Sequence, residues 1–401
     1  MRRKRLVCWL VIIVFLAAVC GCSGGGVDQR AAYKGSANRG PGVSASGQDS
    51  DVPDREEGDP KPEVSPESVP SAENKAVKTK GESSKNKEGS PAPVKEESAG
   101  NQPDRVTLLV TQNYGQRILF DQKVKLDCQA TVMDIMQSHL QVESGPGGYV
   151  NAINGVKAGE GKTGGRSDWM YYINGICANV GAASCQLQKG DVVWWDYHPW
   201  RFGGVVTSAV IGCYPEPFVQ GYQGKVGTTT IAAAAGAMDL ARTLEKSLRT
   251  RGVQSTSVKE IEASGWKNRS GPTLVLGEWE DLKSIRELEK LNQAGGKSGL
   301  CVHFNDSLEL LDYQGKVQQT VTGSAGIIAA AAAGMGDGAP LWLVVGTDRQ
   351  GLEQAVGLLV NDPQQIRGCC SAALVSGRVI KLPLLKKEAS KQCSLTAKKT
   401  A

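Results

Sequence analysis

Large aromatic rings gather in one short stretch of this chain, between residues 169 and 200. The stretch holds four of the eight tryptophans and three of the nine tyrosines, although aromatic residues make up only 5% of the 401 residues. Such rings can stack on a flat ligand or a sugar, while polar neighbours orient it. The candidate ligand-binding residues are Trp169, Tyr171, Tyr172, Asn174, Trp194, Trp195, Tyr197 and His198. The rings could also fill a small core, and the sequence leaves both interpretations open.

Two strands must position these rings. Alternate residues of a strand share a face, so Trp169 and Tyr171 point away from Tyr172, and Trp195 points away from Trp194. Both faces of both strands therefore carry rings. Because a small sheet under one helix has only one covered face, we expect some of the rings to remain partly exposed.

The neighbouring segments predict a small α+β module over residues 105–200. "RVTLLVTQNYGQRILFDQKVKL" alternates apolar and polar residues around Asn113-Tyr114-Gly115, as a β-hairpin does. "CQATVMDIMQSHL" has apolar residues at helical spacing. Two later strands each end in Ile-Asn-Gly, a turn signal, and "VVWWDY" follows a turn at Lys189-Gly190-Asp191.

The order of these motifs resembles a β-grasp-like domain of bacterial surface proteins. That domain is related to the C-terminal, cobalamin-facing domain of the vitamin carriers transcobalamin and intrinsic factor. The resemblance rests on the aromatic strand ending in Asn-Gly (169–175), on "VGAAS" (180–184) and on Gly-Asp before a Trp-bearing strand (190–197). It implies cobalamin, or a related large planar molecule, as a candidate ligand, with His198 as a candidate axial nitrogen for cobalt. Nothing in the chain resembles the helical domain of those carriers.

The remaining reactive residues predict neither an enzyme nor a metal site. His139 falls on a predicted helix and His303 on a predicted strand, and no nucleophile elbow or phosphate-binding glycine motif occurs. The eight cysteines after residue 22 lack zinc spacing. Cys177 and Cys185 flank one loop and are a disulfide candidate, the alternative being small buried thiols.

The N-terminus predicts export and a lipid anchor. Four basic residues precede an apolar run from Leu6 to Val19, which is shorter than the ~20 apolar residues of a typical membrane-spanning helix. The run ends in Val19-Cys20-Gly21-Cys22, which resembles the lipobox of bacterial lipoproteins. The resemblance implies a signal peptide over residues 1–21 and a lipid on Cys22, with Cys20 as a second candidate and an uncleaved signal anchor as the alternative. Acyl chains would hold the protein on the extracytoplasmic face of the cell membrane.

The segments that flank the predicted folded modules have a polar composition. Residues 23–104 contain no Leu, Ile, Met, Phe or Trp and are rich in Pro, Ser, Gly, Glu and Lys. They cannot bury enough apolar area to fold, so 22–104 is predicted to be a disordered linker. The basic tail, residues 386–401, is predicted to be disordered as well. Removal of the four N-terminal basic residues lowers the formal net charge from +5 to +1, which gives no argument for nucleic acid.

Residues 204–385 predict an α/β layered domain with a mostly parallel sheet. "TLVLGEWEDLKSIRELEKLNQ" and "LWLVVGTDRQGLEQAVGLLVND" are each strand, Gly, helix. "TTTIAAAAGAMDLARTLEKSLRTRG" and "SAGIIAAAAAGMG" predict Ala-rich helices, "LELLDYQGKVQQTV" an inserted hairpin and "SAALVSGRVIKLPL" a final strand pair. Ligands of such folds collect where strands end, here at Gly277-Glu278 and Gly346-Thr347-Asp348. The alternative is that these residues only form turns and helix caps.

Together these features predict a lipid-anchored cell-surface protein that binds cobalamin or another large planar or carbohydrate molecule. Its expected partners are the membrane and either a small ligand or a transporter. The alternative is a structural or adhesion module of a surface assembly without a small ligand.

Overall fold

A computed structural model describes residues 103–160, 166–200, 207–262 and 269–385. The predicted signal peptide, the lipidation site Cys22, the predicted linker up to residue 102 and the predicted tail lie outside the described residues. They stay predictions.

The first part of the described chain is a β-rich module with one α-helix. Its elements are β1 (Arg105–Gln112), β2 (Arg117–Lys125), α1 (Val132–His139), β3 (Val142–Ser144), β4 (Val150–Ile153), β5 (Val156–Lys157), β6 (Gly159–Glu160), β7 (Arg166–Ile173), β8 (Ile176–Cys177) and β9 (Val192–Trp200). The main sheet has the order β2-β1-β9-β7-β6, with β8 paired to β7. β1 runs parallel to β9, and the other strand pairings of this sheet are antiparallel. β3, β4 and β5 form a separate small sheet. The predicted hairpin, helix and later strands are present among these elements, which are mostly strands.

Local sequence explains the turn and the helix of this module. Asn113 and Tyr114 adopt positive φ angles of 57° and 59°, and Gly115 follows at 76°, so the chain reverses between β1 and β2. At the start of α1 the Asp134 amide donates to the Thr131 hydroxyl, and the Asp134 carboxylate accepts from the Thr131 amide at 2.8 Å. This capping box fixes where the helix begins.

The second part is an α/β layer built on a seven-stranded sheet. Its elements are β10 (Thr229–Ala233), α2 (Met238–Thr250), β11 (Thr256–Glu260), β12 (Thr273–Glu278), α3 (Trp279–Leu282), α4 (Arg286–Gln293), β13 (Val302–Phe304), β14 (Leu308–Leu311), β15 (Val317–Val321), β16 (Ala325–Ala331), β17 (Leu341–Gly346), α5 (Arg349–Asn361), β18 (Ser371–Val375) and β19 (Arg378–Leu382). The sheet order is β11-β10-β12-β17-β16-β18-β19, and β13, β14 and β15 form a small antiparallel sheet of their own.

The prediction of a mostly parallel sheet is wrong. The pairings from β11 to β17 are parallel, but those of β16, β18 and β19 are antiparallel, so the sheet is mixed. The predicted strand–Gly–helix units, the inserted hairpin and the final strand pair are present.

Two predicted Ala-rich helices contain strands instead. Thr229–Ala233 is β10, so the helix begins only at Met238, and Ala325–Ala331 is β16 with all seven residues buried. Small residues let α5 approach β16 closely, because a Cβ on Gly326 would lie 2.4 Å from the Gly351 carbonyl oxygen. Tertiary packing therefore overrides the helix preference of alanine here.

The two parts pack against each other, and the described residues belong to one compact unit. The guanidinium of Arg367 donates to the Asp121 carboxylate with two N–H groups, one of them at 2.6 Å. The Lys381 ammonium donates to the Gly115 carbonyl at 2.8 Å, and the backbone of Gly368 lies against Gly115. Among the described residues, no helix is long and apolar enough to cross a membrane.

Candidate functional site

One face of the aromatic sheet packs under α1. Trp169 and Trp195 are buried there, and Tyr171 stacks on Trp195 with ring centroids 4.7 Å apart. The Trp169 indole donates to the Val156 carbonyl at 3.0 Å, and the Tyr197 hydroxyl donates to the Lys157 carbonyl at 3.0 Å. These rings form the core of the first module, and among the described residues the buried Trp195 indole N–H has no hydrogen-bond partner.

The opposite face of the same sheet is covered by the second part of the chain. Tyr172 and Trp194 pack there against Val210, Cys213 and Cys370. Trp194 is fully buried, and its indole donates to the Thr111 hydroxyl at 2.7 Å. The expectation that a small sheet has only one covered face is therefore wrong, because residues beyond 207 supply the second cover.

The predicted ligand-binding residues do not form an open stacking surface. Six of the eight are buried, namely Trp169, Tyr172, Asn174, Trp194, Trp195 and His198. Only Tyr171 and Tyr197 are partly exposed, and both hydroxyls donate to backbone carbonyls of the module. Of the two interpretations that the sequence left open, the structure favours core packing.

Asn174 belongs to a turn and joins it to its surroundings. It adopts a positive φ of 53°, and its amide donates to Asp191 Oδ1 at 2.8 Å and to the Gly221 carbonyl at 2.7 Å. Its carbonyl oxygen accepts from the Val192 amide at 2.8 Å. Since this side chain is fully buried and these contacts use both its amide and its carbonyl, it serves the fold.

His198 lies beside a buried carboxylate that the sequence analysis did not single out. Asp196 accepts from the Tyr114 and Gly115 amides at 2.8 and 3.0 Å and from the Thr111 hydroxyl. The His198 Nδ1 lies 2.7 Å from Asp196 Oδ2, and the Tyr114 ring stacks on the imidazole at 4.3 Å. The sequence did contain a signal for this carboxylate, because an acidic residue inside the apolar strand "VVWWDY" needs several hydrogen-bond donors when it is buried.

Neither the predicted disulfide nor a metal-binding group is present in the described residues. Cys177 and Cys185 are free thiols, and burial raises their pKa values to about 12 and about 11. His139 contacts the Ile135 carbonyl, and His303 contacts Glu309. Within the described ranges, no three His, Cys, Asp or Glu side chains lie close enough to hold a metal ion.

A crevice of about 310 Å³ opens where β12 and β17 end, at the position that the strand order predicts. We call it the edge crevice. Its lining comes from the starts of α3 and α5, from the β13–β14 turn and from the segment before β16. The lining residues are Trp279, Glu280, Phe304, Asn305, Asp306, Ser307, Leu308, Val321, Thr322, Gly323, Ser324, Thr347 and Asp348.

Asp348 satisfies both interpretations of its position. Its Oδ1 accepts from the Gly351 amide at 2.8 Å, which caps α5, and from the Ser324 hydroxyl at 2.7 Å. It also lines the edge crevice. Because the Asp348 carboxylate caps the helix and also accepts from a hydroxyl, it is held in one orientation, as a group that contacts a ligand should be.

The edge crevice combines a ring pair with unused polar groups. Trp279 stacks on Phe304 with centroids 4.6 Å apart and planes inclined by 15°, and Trp279 is partly exposed. The side chains of Asn305 and Asp306 are exposed and form no hydrogen bond or ion pair with another described residue. The lining contains carboxylates but no Lys, Arg or His, so it suits a neutral or cationic polar ligand.

A second cavity of about 430 Å³ lies beside the edge crevice and shares the segment Val321–Ser324 with it. We call it the side cavity. It is lined by Gln319, Thr320, Val321, Thr322, Gly323, Ser324, Gln350, Gln354, Val375 and Ser376. None of these side chains carries a charge.

A family profile matches part of the first module, and two solved structures are similar to about a quarter of the chain. Residues 129–199 match the sequence profile of a domain of unknown function, DUF4430. A putative metal binding protein from Ruminococcus gnavus is similar in structure at 17% sequence identity and a TM-score of 0.20. The match covers 24% of this chain and 99% of that chain. Haptocorrin in complex with Cbi is similar at 18% sequence identity and a TM-score of 0.20. The match covers 24% of this chain and 25% of that chain. No curated protein matches the chain.

Proposed function

We propose that the protein is a lipid-anchored, extracytoplasmic binding protein whose ligand occupies the edge crevice. The proposal rests on one observation: the partly exposed indole of Trp279 and the unpaired side chains of Asn305 and Asp306 line the same crevice at the strand ends. Ligand sites of open α/β sheets form at this edge, and apolar walls with a few fixed polar groups are their usual lining. The volume of about 310 Å³ suits a small ligand.

The aromatic residues of the first module are not the proposed ligand site. The tryptophans among them and Tyr172 are buried, on one or the other face of the sheet, and the partly exposed Tyr171 and Tyr197 have their hydroxyls bound to backbone carbonyls, which leaves no open stacking surface. Cobalamin, which the sequence resemblance suggested, is also much larger than a cavity of about 310 Å³. It is kept as one ligand of the test.

The binding proposal is tested by equilibrium dialysis of the full chain against a defined panel of monosaccharides, amino acids, polyamines and cobalamin. We expect at least one neutral or cationic polar compound to bind, and Asn305→Ala and Asp306→Ala to weaken binding at least tenfold. Lys297→Ala, an exposed change outside the crevice lining, is the control and should leave binding unchanged. Binding of no compound would contradict the proposal and favour a structural or adhesion module.

The anchor is tested separately. Mass spectrometry of the chain purified from membranes should show that Cys22 is the first residue and carries acyl chains. Cys22→Ser should release the protein from the membrane fraction. A retained residue 1–21 segment, or an unmodified Cys22 thiol, would contradict the anchor without affecting the binding proposal.

A further inference from the structure

We infer that the ligand is a neutral, linear oligosaccharide that occupies the edge crevice and the side cavity together. This rests on the proposed function and names the chemical class of its ligand. The chain would place one sugar unit in each cavity and a third unit over the segment Val321–Ser324.

The two cavities share one lining segment, which a bound chain could cross. Both are lined by Val321, Thr322, Gly323 and Ser324, and Thr322 and Gly323 are exposed. A Cβ added to Gly323 would meet no atom within 4 Å, and its φ lies outside the left-handed region. Neither packing nor backbone conformation therefore requires glycine at this position. The absence of a side chain keeps the crossing open.

The edge crevice offers what one sugar ring needs. A pyranose has an apolar C–H face and a rim of hydroxyls. The partly exposed Trp279, backed by Phe304, offers a ring to the apolar face. The amide of Asn305 and the carboxylate of Asp306 are unpaired among the described residues, and they can contact the hydroxyls.

The side cavity continues this chemistry without charge. Gln319, Gln350 and Gln354 bring three primary amides to it, and each amide can both donate and accept as a sugar hydroxyl does. The Gln354 Oε1 is buried and has no hydrogen-bond partner in the described part of the chain. Such an acceptor is costly unless a donor reaches it, and a ligand hydroxyl would supply one.

The charge pattern excludes anionic polymers. The side cavity has no charged lining residue, and the edge crevice has only carboxylates. A nucleic acid or an acidic polysaccharide requires cations along its backbone, which neither lining offers. A neutral glycan matches the charge pattern of both cavities.

The test measures binding by chain length. The full chain is titrated by calorimetry with gluco-oligosaccharides and N-acetylglucosamine oligosaccharides of one to six units. One of the two series should bind, and its affinity should rise at least tenfold from one unit to three and then level off. Trp279→Ala should weaken binding of every length at least tenfold.

Gly323→Val separates the crossing from the crevice itself. It should lower the affinity for the trisaccharide at least tenfold while changing that for the monosaccharide less than twofold. Gly334→Val is the matched control, because a Cβ there also meets no atom within 4 Å and Gly334 follows β16, whereas Gly323 precedes that strand. Urea unfolding should show both variants as stable as the parent chain, within ~0.5 kcal/mol.

Each contrary result has a defined meaning. Equal affinity for all lengths, or equal effects of Gly323→Val and Gly334→Val, would overturn the inference. Binding of a short peptide or of another panel compound in place of sugars would also overturn it, while the proposed function would stand. If neither the sugars nor any panel compound bind, both fail.

Discussion

A methyl group placed on Gly115 tests the packing that buries the aromatic sheet. Gly115 has a φ of 76°, and a Cβ there would lie 1.6 Å from the Gly368 carbonyl oxygen. Real Cβ atoms do not approach other heavy atoms closer than 3.0 Å, so the two backbones must separate by about 1.4 Å. The obstacle is backbone, and no side-chain rotation can relieve it.

Gly155→Ala provides the matched control. Gly155 has a φ of 79°, and a Cβ on it meets no atom within 4 Å. Both variants therefore carry the same left-handed strain, about 1–2 kcal/mol, and the same gain from restricting the unfolded chain. Gly115→Ala adds overpacking, which typically costs about 1–3 kcal/mol or more, and weakens the Lys381 contact. We expect it to be less stable than Gly155→Ala by about 3 kcal/mol.

Urea unfolding followed by tryptophan fluorescence and far-ultraviolet circular dichroism measures this difference. Gly115→Ala should also shift the emission toward longer wavelengths before unfolding, because the Trp194 ring lies 3.5 Å from the added carbon and would gain solvent. Equal stability of the two variants, within ~0.5 kcal/mol, would refute the inter-module contact. The aromatic sheet would then regain one open face.

Three further predictions concern buried charges and the contact between the two parts. Asp196→Asn leaves buried donors facing an amide and should cost about 3–5 kcal/mol in urea unfolding, whereas the exposed Asp127→Asn should cost less than ~1 kcal/mol. Burial raises the pKa of Glu216 from 4.5 to about 7, so the folded chain keeps a proton that the unfolded chain releases. The contribution of Glu216 to the free energy of unfolding is therefore full below pH 4.5 and falls by roughly 3 kcal/mol as the pH rises to 7. In urea unfolding measured at several pH values, Glu216→Gln should remove this part of the pH dependence. A double-mutant cycle of Arg367→Ala and Asp121→Ala should give a coupling of about 1 kcal/mol that decreases in salt, and no coupling would contradict the bidentate pair.

The hairpin, the helix and the turns of the first module could be predicted from the sequence, because their signals are local. Alternation around Asn113-Tyr114-Gly115, the capping residues of α1 and the Asn-Gly turns each act within a few residues. What covers the second face of the sheet is not local. Cys370 lies far along the chain from Trp194, and no periodicity in the aromatic strands indicates it or Val210. The ring pattern therefore predicted two apolar faces but could not tell a buried face from a ligand surface.

The Ala-rich segments failed for a related reason. "GIIAAAAA" has high helix propensity, yet β16 lies between β17 and β18 and hydrogen-bonds to both. Alanine there serves close packing, since a Cβ on Gly351 would lie 2.0 Å from the Ala325 carbonyl oxygen. Propensity is worth tenths of a kcal/mol per residue, whereas a central strand without its ladder would lose hydrogen bonds at every position.

The edge crevice shows how a general topological rule and a particular sequence divide the information about a site. Parallel strands ending side by side predicted where the crevice would lie, from Gly277-Glu278 and Gly346-Thr347-Asp348 alone. Its lining depends on Phe304–Leu308 and on Val321–Ser324, which the inserted hairpin brings to that edge. The rule gives the place because backbone geometry fixes it, but the chemistry comes from loops whose positions depend on packing across the sheet. Binding specificity should therefore change with Asn305, Asp306 and Gly323, while changes to the strand ends should affect folding first.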